Sequence, residues 1–277
     1  MTLTRTAVIT IVSGRDEHLH RQRLAMVGDP PDLHVVVAMG AEPYLPPVDG
    51  GPEVSTVHVE VAPGGLPLAA ARNAGARRAI EAGADVLIFL DVDCIPGPAL
   101  TSGYRRAVVA EPRPALLCGP VSYLPPPPLN GYPIRRLAQL AAPHPGRPVP
   151  ATGEIMAETR FELFWSLSFA VGCGTWTDVG GFDEGYVGYG AEDTDFALRA
   201  AALGATLHWV GDAPAYHQHH PPSREDPQRV PEMVRNAERF FYRHGSWPMG
   251  DWLSDLARRG LITFDPVAGT CRVVPGG

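Results

Sequence analysis

Four short runs constrain this chain more than anything else in it. "TAVITIVSG" (6–14), "LHVVVAMG" (33–40) and "DVLIFLDVD" (85–93) are almost unbroken apolar stretches, and "VSTVHVEV" (54–61) alternates. Continuous β-branched runs of this length read as strands buried on both faces. Between them, 18–27 and 66–83 carry helical spacing. Gly28-Asp29-Pro30-Pro31 stops the first helix; Pro67 opens the second and Gly83 closes it. Strand and helix alternating with short loops predict a parallel sheet with helices on both faces. Ligands bind such sheets at the carboxyl ends of the strands, which is where Asp91-Val92-Asp93 falls.

Further along the pattern loosens. Residues 99–111 read as a helix, 115–124 as a strand and 164–173 as another. Residues 125–155 read as an irregular proline-rich excursion around a short helix, "IRRLAQLA". Residues 205–222 run from a strand into a histidine cluster, and 228–260 read as helices broken at "RHGSWPMGDW". The expected layout is an α/β domain over 1–222, its central sheet mostly parallel, with a helical extension over 223–277 packed on it. A chain of 277 residues is long enough for a sizeable core.

Net charge is −7, and the basic pairs Arg77-Arg78, Arg105-Arg106 and Arg135-Arg136 are short and scattered. That balance argues against a nucleic-acid partner. No apolar run reaches the roughly 18 residues of a membrane span. Peripheral membrane contact and self-association stay open. Cys94, Cys118, Cys173 and Cys271 form no CxxC pair. With an N-terminus unlike a signal peptide, they read as reduced thiols of a cytoplasmic protein.

Three constellations carry chemistry. Asp91 and Asp93 end a buried strand, where two carboxylates can hold a divalent cation that neutralises a diphosphate leaving group. His217, His219 and His220 come after the last strand and offer further metal ligands, His217 being nearest the strand. The third is "GGFDEGYVGYGAEDTDFALRA", a glycine-rich loop opening onto Glu192, Asp193 and Asp195 at a helix start. The helix dipole suffices to explain Asp195. Glycines permit a loop to close over a substrate, and a carboxylate behind it can deprotonate a hydroxyl. Asp193 is the candidate base, with Glu192 binding or orienting the acceptor. Trp165, Tyr186 and Tyr189 are candidate sugar-stacking rings beside it.

Together "FLDVDCIP", the "VGGFDEGYVGYGAEDTDFALRA" block and the later histidine resemble the GT-A fold glycosyltransferases, specifically family 2 and the C-terminal region of beta-1,4-galactosyltransferases. The resemblance spans roughly residues 6–220. It implies a Rossmann-like nucleotide-sugar fold and a manganese- or magnesium-dependent, inverting transfer. It implies Asp93 and His217 as metal ligands, Asp91 on the nucleotide-sugar or the metal shell, and Asp193 as base. Ser13, Gly14, Arg15, Arg72, Asn73 and Val92 would line the nucleotide. Family members carry an aspartate pair after the second strand; here Glu42 would substitute. Where the galactosyltransferases have a loop tryptophan, this chain has Tyr189. A UDP-sugar is the expected donor, and a sugar or other hydroxyl compound the acceptor. Alternatives are a retaining enzyme of the same fold, like the mannosylglycerate synthase group, a nucleotidyltransferase, and an inactive nucleotide- or sugar-binding module.

Overall fold

The computed structural model describes residues 4–220 and 229–274. The expected domain boundary at 222/223 lies outside the described residues. The first half runs β1 (Thr6–Val12), α1 (Asp16–Met26), β2 (Leu33–Met39), β3 (Val54–Val59), α2 (Leu68–Glu81), β4 (Val86–Leu90), β5 (Cys94–Pro96) and α3 (Leu100–Ala110). Next come β6 (Ala115–Cys118), β7 (Val121–Tyr123), α4 (Leu137–Leu140), β8 (Ala142–Pro143), β9 (Ile155–Glu158), β10 (Ser168–Gly172) and α5 (Cys173–Val179). The remainder is α6 (Glu192–Ala202), β11 (Thr206–Val210), β12 (Ala215–His217), α7 (Val230–His244), α8 (Gly250–Arg258), β13 (Ile262–Asp265) and β14 (Thr270–Val273).

The main sheet has the order β3-β2-β1-β4-β10-β6-β11-β9. β3, β2, β1 and β4 pair in parallel, as their unbroken apolar character requires. β10 is antiparallel to both neighbours, β4 and β6, and β9 closes the far edge antiparallel to β11. The sheet is therefore mixed, with six strands in one direction and two against them. A second sheet, β5-β12-β7-β8, joins the segment after Asp93 to the segment ending at His217. Their register sets His217 opposite Cys94, the residue after Asp93. This small sheet brings the aspartates and the histidines together.

Several sequence expectations are corrected. The single strand over 115–124 divides at Gly119-Pro120 into β6 and β7, which serve different sheets. The strand over 164–173 is shorter, and Cys173 already begins α5. The proline-rich excursion supplies β8 and ends in β9, an edge strand of the main sheet. The C-terminal extension is not wholly helical: β13 and β14 form a hairpin packed with α7 and α8. Its alternation of Ile262 and Phe264, then Cys271 and Val273, is a period-two signal around an Ala-Gly turn.

An aromatic core lies between the sheet and the glycine-rich segment. Phe89 and Phe169 stack at 4.6 Å, and Phe182 stacks on Phe196 at 4.6 Å. Gly180 and Gly181 have φ of +79° and +73°, a left-handed pair that ends α5 and turns Phe182 inward. Part of the "GGFDE" motif thus serves packing. The four cysteines are free thiols, three of them buried. Among the described residues no helix is long and apolar enough to cross a membrane.

Candidate active site

The chain leaves β4 at Leu90, and the next three residues turn rather than extend the strand. The two aspartates therefore address different partners. Asp93 faces His217 at 3.6 Å and His220 at 3.2 Å, and Arg15 Nη1 donates to its Oδ2 at 2.6 Å. One ligand atom from each of Asp93, His217 and His220 lies within 4.8 Å of the others. His219 points away, exposed, with its backbone N–H on the Tyr132 hydroxyl. Of the three candidate histidines, His217 and His220 converge on Asp93. β12 ends at His217, so strand alternation no longer governs the residues beyond it. Burial alone would raise the Asp93 carboxyl, but the hydrogen bond from His220 and the charges of His217 and Arg15 outweigh it and hold the group well below the usual range.

Asp91 turns the other way. Its Oδ1 accepts from Arg72 Nη2 at 3.0 Å, and Arg72 Nη1 reaches Glu192 Oε1 at 3.1 Å. Asp91, expected to share in holding the metal, lies outside the three-residue cluster. Burial, only partly offset by Arg72, pushes Asp91 up to about 6. Burial and the neighbouring charge of Asp193 push Glu192 up to about 7. One guanidinium thus serves two carboxylates, with a third, Asp193, close enough to perturb it.

Asp193 is raised by burial, partly offset by the Thr194 N–H, which donates to its Oδ1 at 2.8 Å, and by Arg72. Two left-handed residues aim this pair of acids: Gly190 at φ +105° and Ala191 at φ +71°. Left-handed backbone is unfavourable for alanine, so the surrounding packing holds the turn. Tyr189 stacks on Trp252 of α8 at 5.9 Å. Burial is the main cause that raises its phenol, with Asp193, Glu192 and Tyr123 adding to it. Its ring packs in the α7–α8 cluster, with the Arg229 guanidinium 6.0 Å from its centroid.

The remaining candidate residues divide. Arg15 stands at the metal cluster, and Ser13 and Gly14 precede it on the loop after β1. The Val92 side chain packs with Val12, Leu19 and Val36, leaving only its backbone to the site. Asn73 is spent on structure: it donates to the Phe182 carbonyl and Glu184 and accepts from the Phe182 N–H. Glu42 is exposed on the loop after β2. Tyr186 is 1% exposed, with its hydroxyl on Asp195 and Arg239 over its ring, so it offers no face to an acceptor. Trp165 lies beside Ser166, with His144 against its edge and Arg147 over its face.

The glycine-rich loop is tied to α7 by hydrogen bonds. α7 carries a polar stripe at helical spacing. Glu232 accepts from Tyr189 N, Arg235 and Asn236 donate to the Val187 carbonyl, and Arg239 grips Asp183 through two nitrogens. Side chains on Gly65 or Gly188 would run into Glu232, so these glycines admit the carboxylate between two backbones. Asp195 anchors the same interface. It is fully buried, bonded by Arg199 at 2.8 Å, Arg243 at 3.0 Å and His244 at 2.9 Å. Its role is a junction between α6 and α7, beyond any dipole effect. Gln22 has a part that its sequence context does not signal. Buried on α1, it donates to the carbonyls of Asp91 at 2.8 Å and Cys94 at 2.9 Å, bracketing the aspartate turn.

A family described as the N-terminal domain of galactosyltransferase matches residues 158–221, the segment holding the glycine-rich loop, the acids and the histidines. Validoxylamine A glucosyltransferase of Streptomyces hygroscopicus subsp. jinggangensis is 28% identical over 204 residues, covering 66% of this chain and 46% of the relative. The homologue from subsp. limoneus is equally similar, with 43% of its length covered. The chain thus spans under half the length of these curated relatives. Among solved structures, GalNAc-T7 with UDP, GalNAc and Mn2+ superposes with a TM-score of 0.57 at 14% identity, over 93% of this chain and 57% of that one. S. aureus TarS gives 0.54 at 14% identity, over 87% and 73%. The mannosyltransferase PcManGT from Pyrobaculum calidifontis, with GDP-Man and Mn2+, gives 0.51 at 17%, over 93% and 65%. The fold is that of the GT-A glycosyltransferases.

Proposed function

We propose that this chain is a metal-dependent, inverting glycosyltransferase that moves a sugar from a nucleotide-sugar to an acceptor hydroxyl. One observation carries the reading. The turn after β4 sends Asp93 to a two-histidine cluster and Asp91, through Arg72, to the helix start bearing Glu192 and Asp193. A metal-ligand set and a candidate base therefore belong to one connected polar site.

The residues fit a divalent cation. One carboxylate and two imidazoles converge, and that mixed oxygen and nitrogen set suits manganese better than magnesium, which prefers oxygen ligands. Manganese in the GalNAc-T7 and PcManGT structures supports the same choice, and their UDP and GDP-mannose support a nucleotide-sugar donor, with a UDP-sugar expected here. When bound, the cation would neutralise charge on the diphosphate leaving group. Arg15 adds positive charge beside Asp93, and Gln22 fixes the turn that presents it. Asp193 takes the proton from the acceptor hydroxyl as it attacks, and Glu192 and Tyr189 hold the acceptor. Inversion would be read from the product's anomeric configuration by NMR.

A thermal-shift series with manganese plus UDP, GDP, ADP, CMP or dTDP tests this, on wild type and Asp93→Ala. A ligand at one hundred times its Kd stabilises the native state by about 2.7 kcal/mol. A manganese-dependent rise in Tm with one nucleotide, lost in Asp93→Ala, is expected. No shift with any nucleotide in the folded wild-type protein would overturn the reading.

A further inference from the structure

Arg147 is the least satisfied charged residue described. It is 6% exposed, and none of its three guanidinium nitrogens has a hydrogen-bond partner. The guanidinium lies between two indoles, 4.8 Å from the Trp165 ring centroid and 4.6 Å from that of Trp209. The titratable groups that bear on it most are Cys118, Tyr123, Tyr104 and Cys94, thiols and phenols rather than carboxylates. Arginine stays protonated even when buried. Cation–π contact offsets only part of what it costs to bury an unpaired cation, and native proteins seldom leave such groups without a partner.

Its place in the fold says what the partner is for. A row of rings runs from the metal cluster: His217 to Tyr123 at 4.9 Å, Tyr123 to His144 at 6.0 Å, His144 to Trp165 at 4.9 Å. Arg147 covers the Trp165 face at the end of that row. The backbone of the next residue, Ser166, lies close enough to Asp193 to favour its ionised form. Arg147 therefore sits on the side of the site where Asp193 would meet an acceptor. It enters from a surface strap whose Pro145, Gly146 and Val149 are exposed.

We propose that Arg147 is an oxyanion-binding residue on the acceptor side, and that the acceptor carries a carboxylate or phosphate that pairs with it. The guanidinium's fork matches either group in a bidentate geometry. The proposal rests on the glycosyltransferase reading for the word acceptor; the anion site itself does not.

Titrating inorganic phosphate and, separately, acetate into EDTA-treated protein tests it, with tryptophan fluorescence as the readout, because two indoles flank the guanidinium. A saturable change in wild type is expected, with the apparent Kd at least roughly tenfold weaker in Arg147→Gln, as befits loss of a charged bidentate partner. The tighter anion identifies the group the acceptor carries. Equal binding in wild type and Arg147→Gln, or no saturable binding of either anion by wild type, would overturn the proposal. Should Arg147→Gln fail to fold, Arg147→Lys keeps the charge and loses the fork, and the same weakening is expected. Manganese-dependent nucleotide binding by wild type is measured alongside. Its absence would count against the glycosyltransferase reading while leaving the anion result standing.

Discussion

Asp193→Asn is expected to lower kcat for transfer by about a thousandfold, within the 10²–10⁴ range typical of a lost general base. The amide keeps the shape and still accepts from the Thr194 N–H, but it cannot take a proton. Metal and nucleotide affinity should change little, because Asp193 lies outside the Asp93, His217 and His220 cluster. The sign of the pH dependence comes from burial, which raises the Asp193 pKa. A base works only when ionised, so wild-type activity should fall on acidification at a pH above the ordinary carboxylate range. Steady-state kinetics with a saturating donor, beside calorimetric nucleotide binding, checks both points. A variant retaining near-full kcat would remove Asp193 from the role.

Asp195→Ala should cost about 3–5 kcal/mol of folding stability, the range seen when one partner of a buried ion pair is removed. The carboxylate has no solvent exposure, neutralises Arg199 and Arg243, and hydrogen-bonds His244. Arg199 keeps the carbonyls of Val179 and Gly181, and Arg243 keeps Asp183, which places the result toward the lower end. Urea denaturation measures the loss. A second effect distinguishes this junction from generic packing. Asp195, with Asp183, ties α7 to the segment that carries the glycine-rich loop, so its removal should raise the acceptor KM more than the donor Kd. A loss under about 1 kcal/mol would mean that the cations find other partners.

What could be read in the sequence depends on where the reason for each residue lies. β1, β2 and β4 are legible because strands buried on both faces must be continuously apolar, a local property. The glycine-rich block and Asp91-Val92-Asp93 are legible because turns and paired acids leave local marks. Asp195 is not, because a sufficient local explanation, the helix dipole, hides partners 48 and 49 residues away in Arg243 and His244. Tyr186 and Asn73 share their segments with site residues, but three-dimensional packing turns them inward. Glu42 fits a family position by residue type alone. Arg147 lies in a proline-rich stretch with no periodicity, so neither its burial nor its two tryptophans can be foreseen. The break at Gly119-Pro120 is a visible turn signal inside a run that otherwise reads as one strand.

That this chain transfers sugar with the help of a metal is tested most directly by donor consumption. UDP- and GDP-sugars are incubated with the protein and manganese, with EDTA, or with manganese and Asp93→Ala, and released nucleoside diphosphate is measured. The predicted result is that one donor is consumed with manganese, and that both EDTA and Asp93→Ala abolish its consumption. Consumption that survives both EDTA and Asp93→Ala, or no consumption of any donor by the folded wild-type protein, would contradict it.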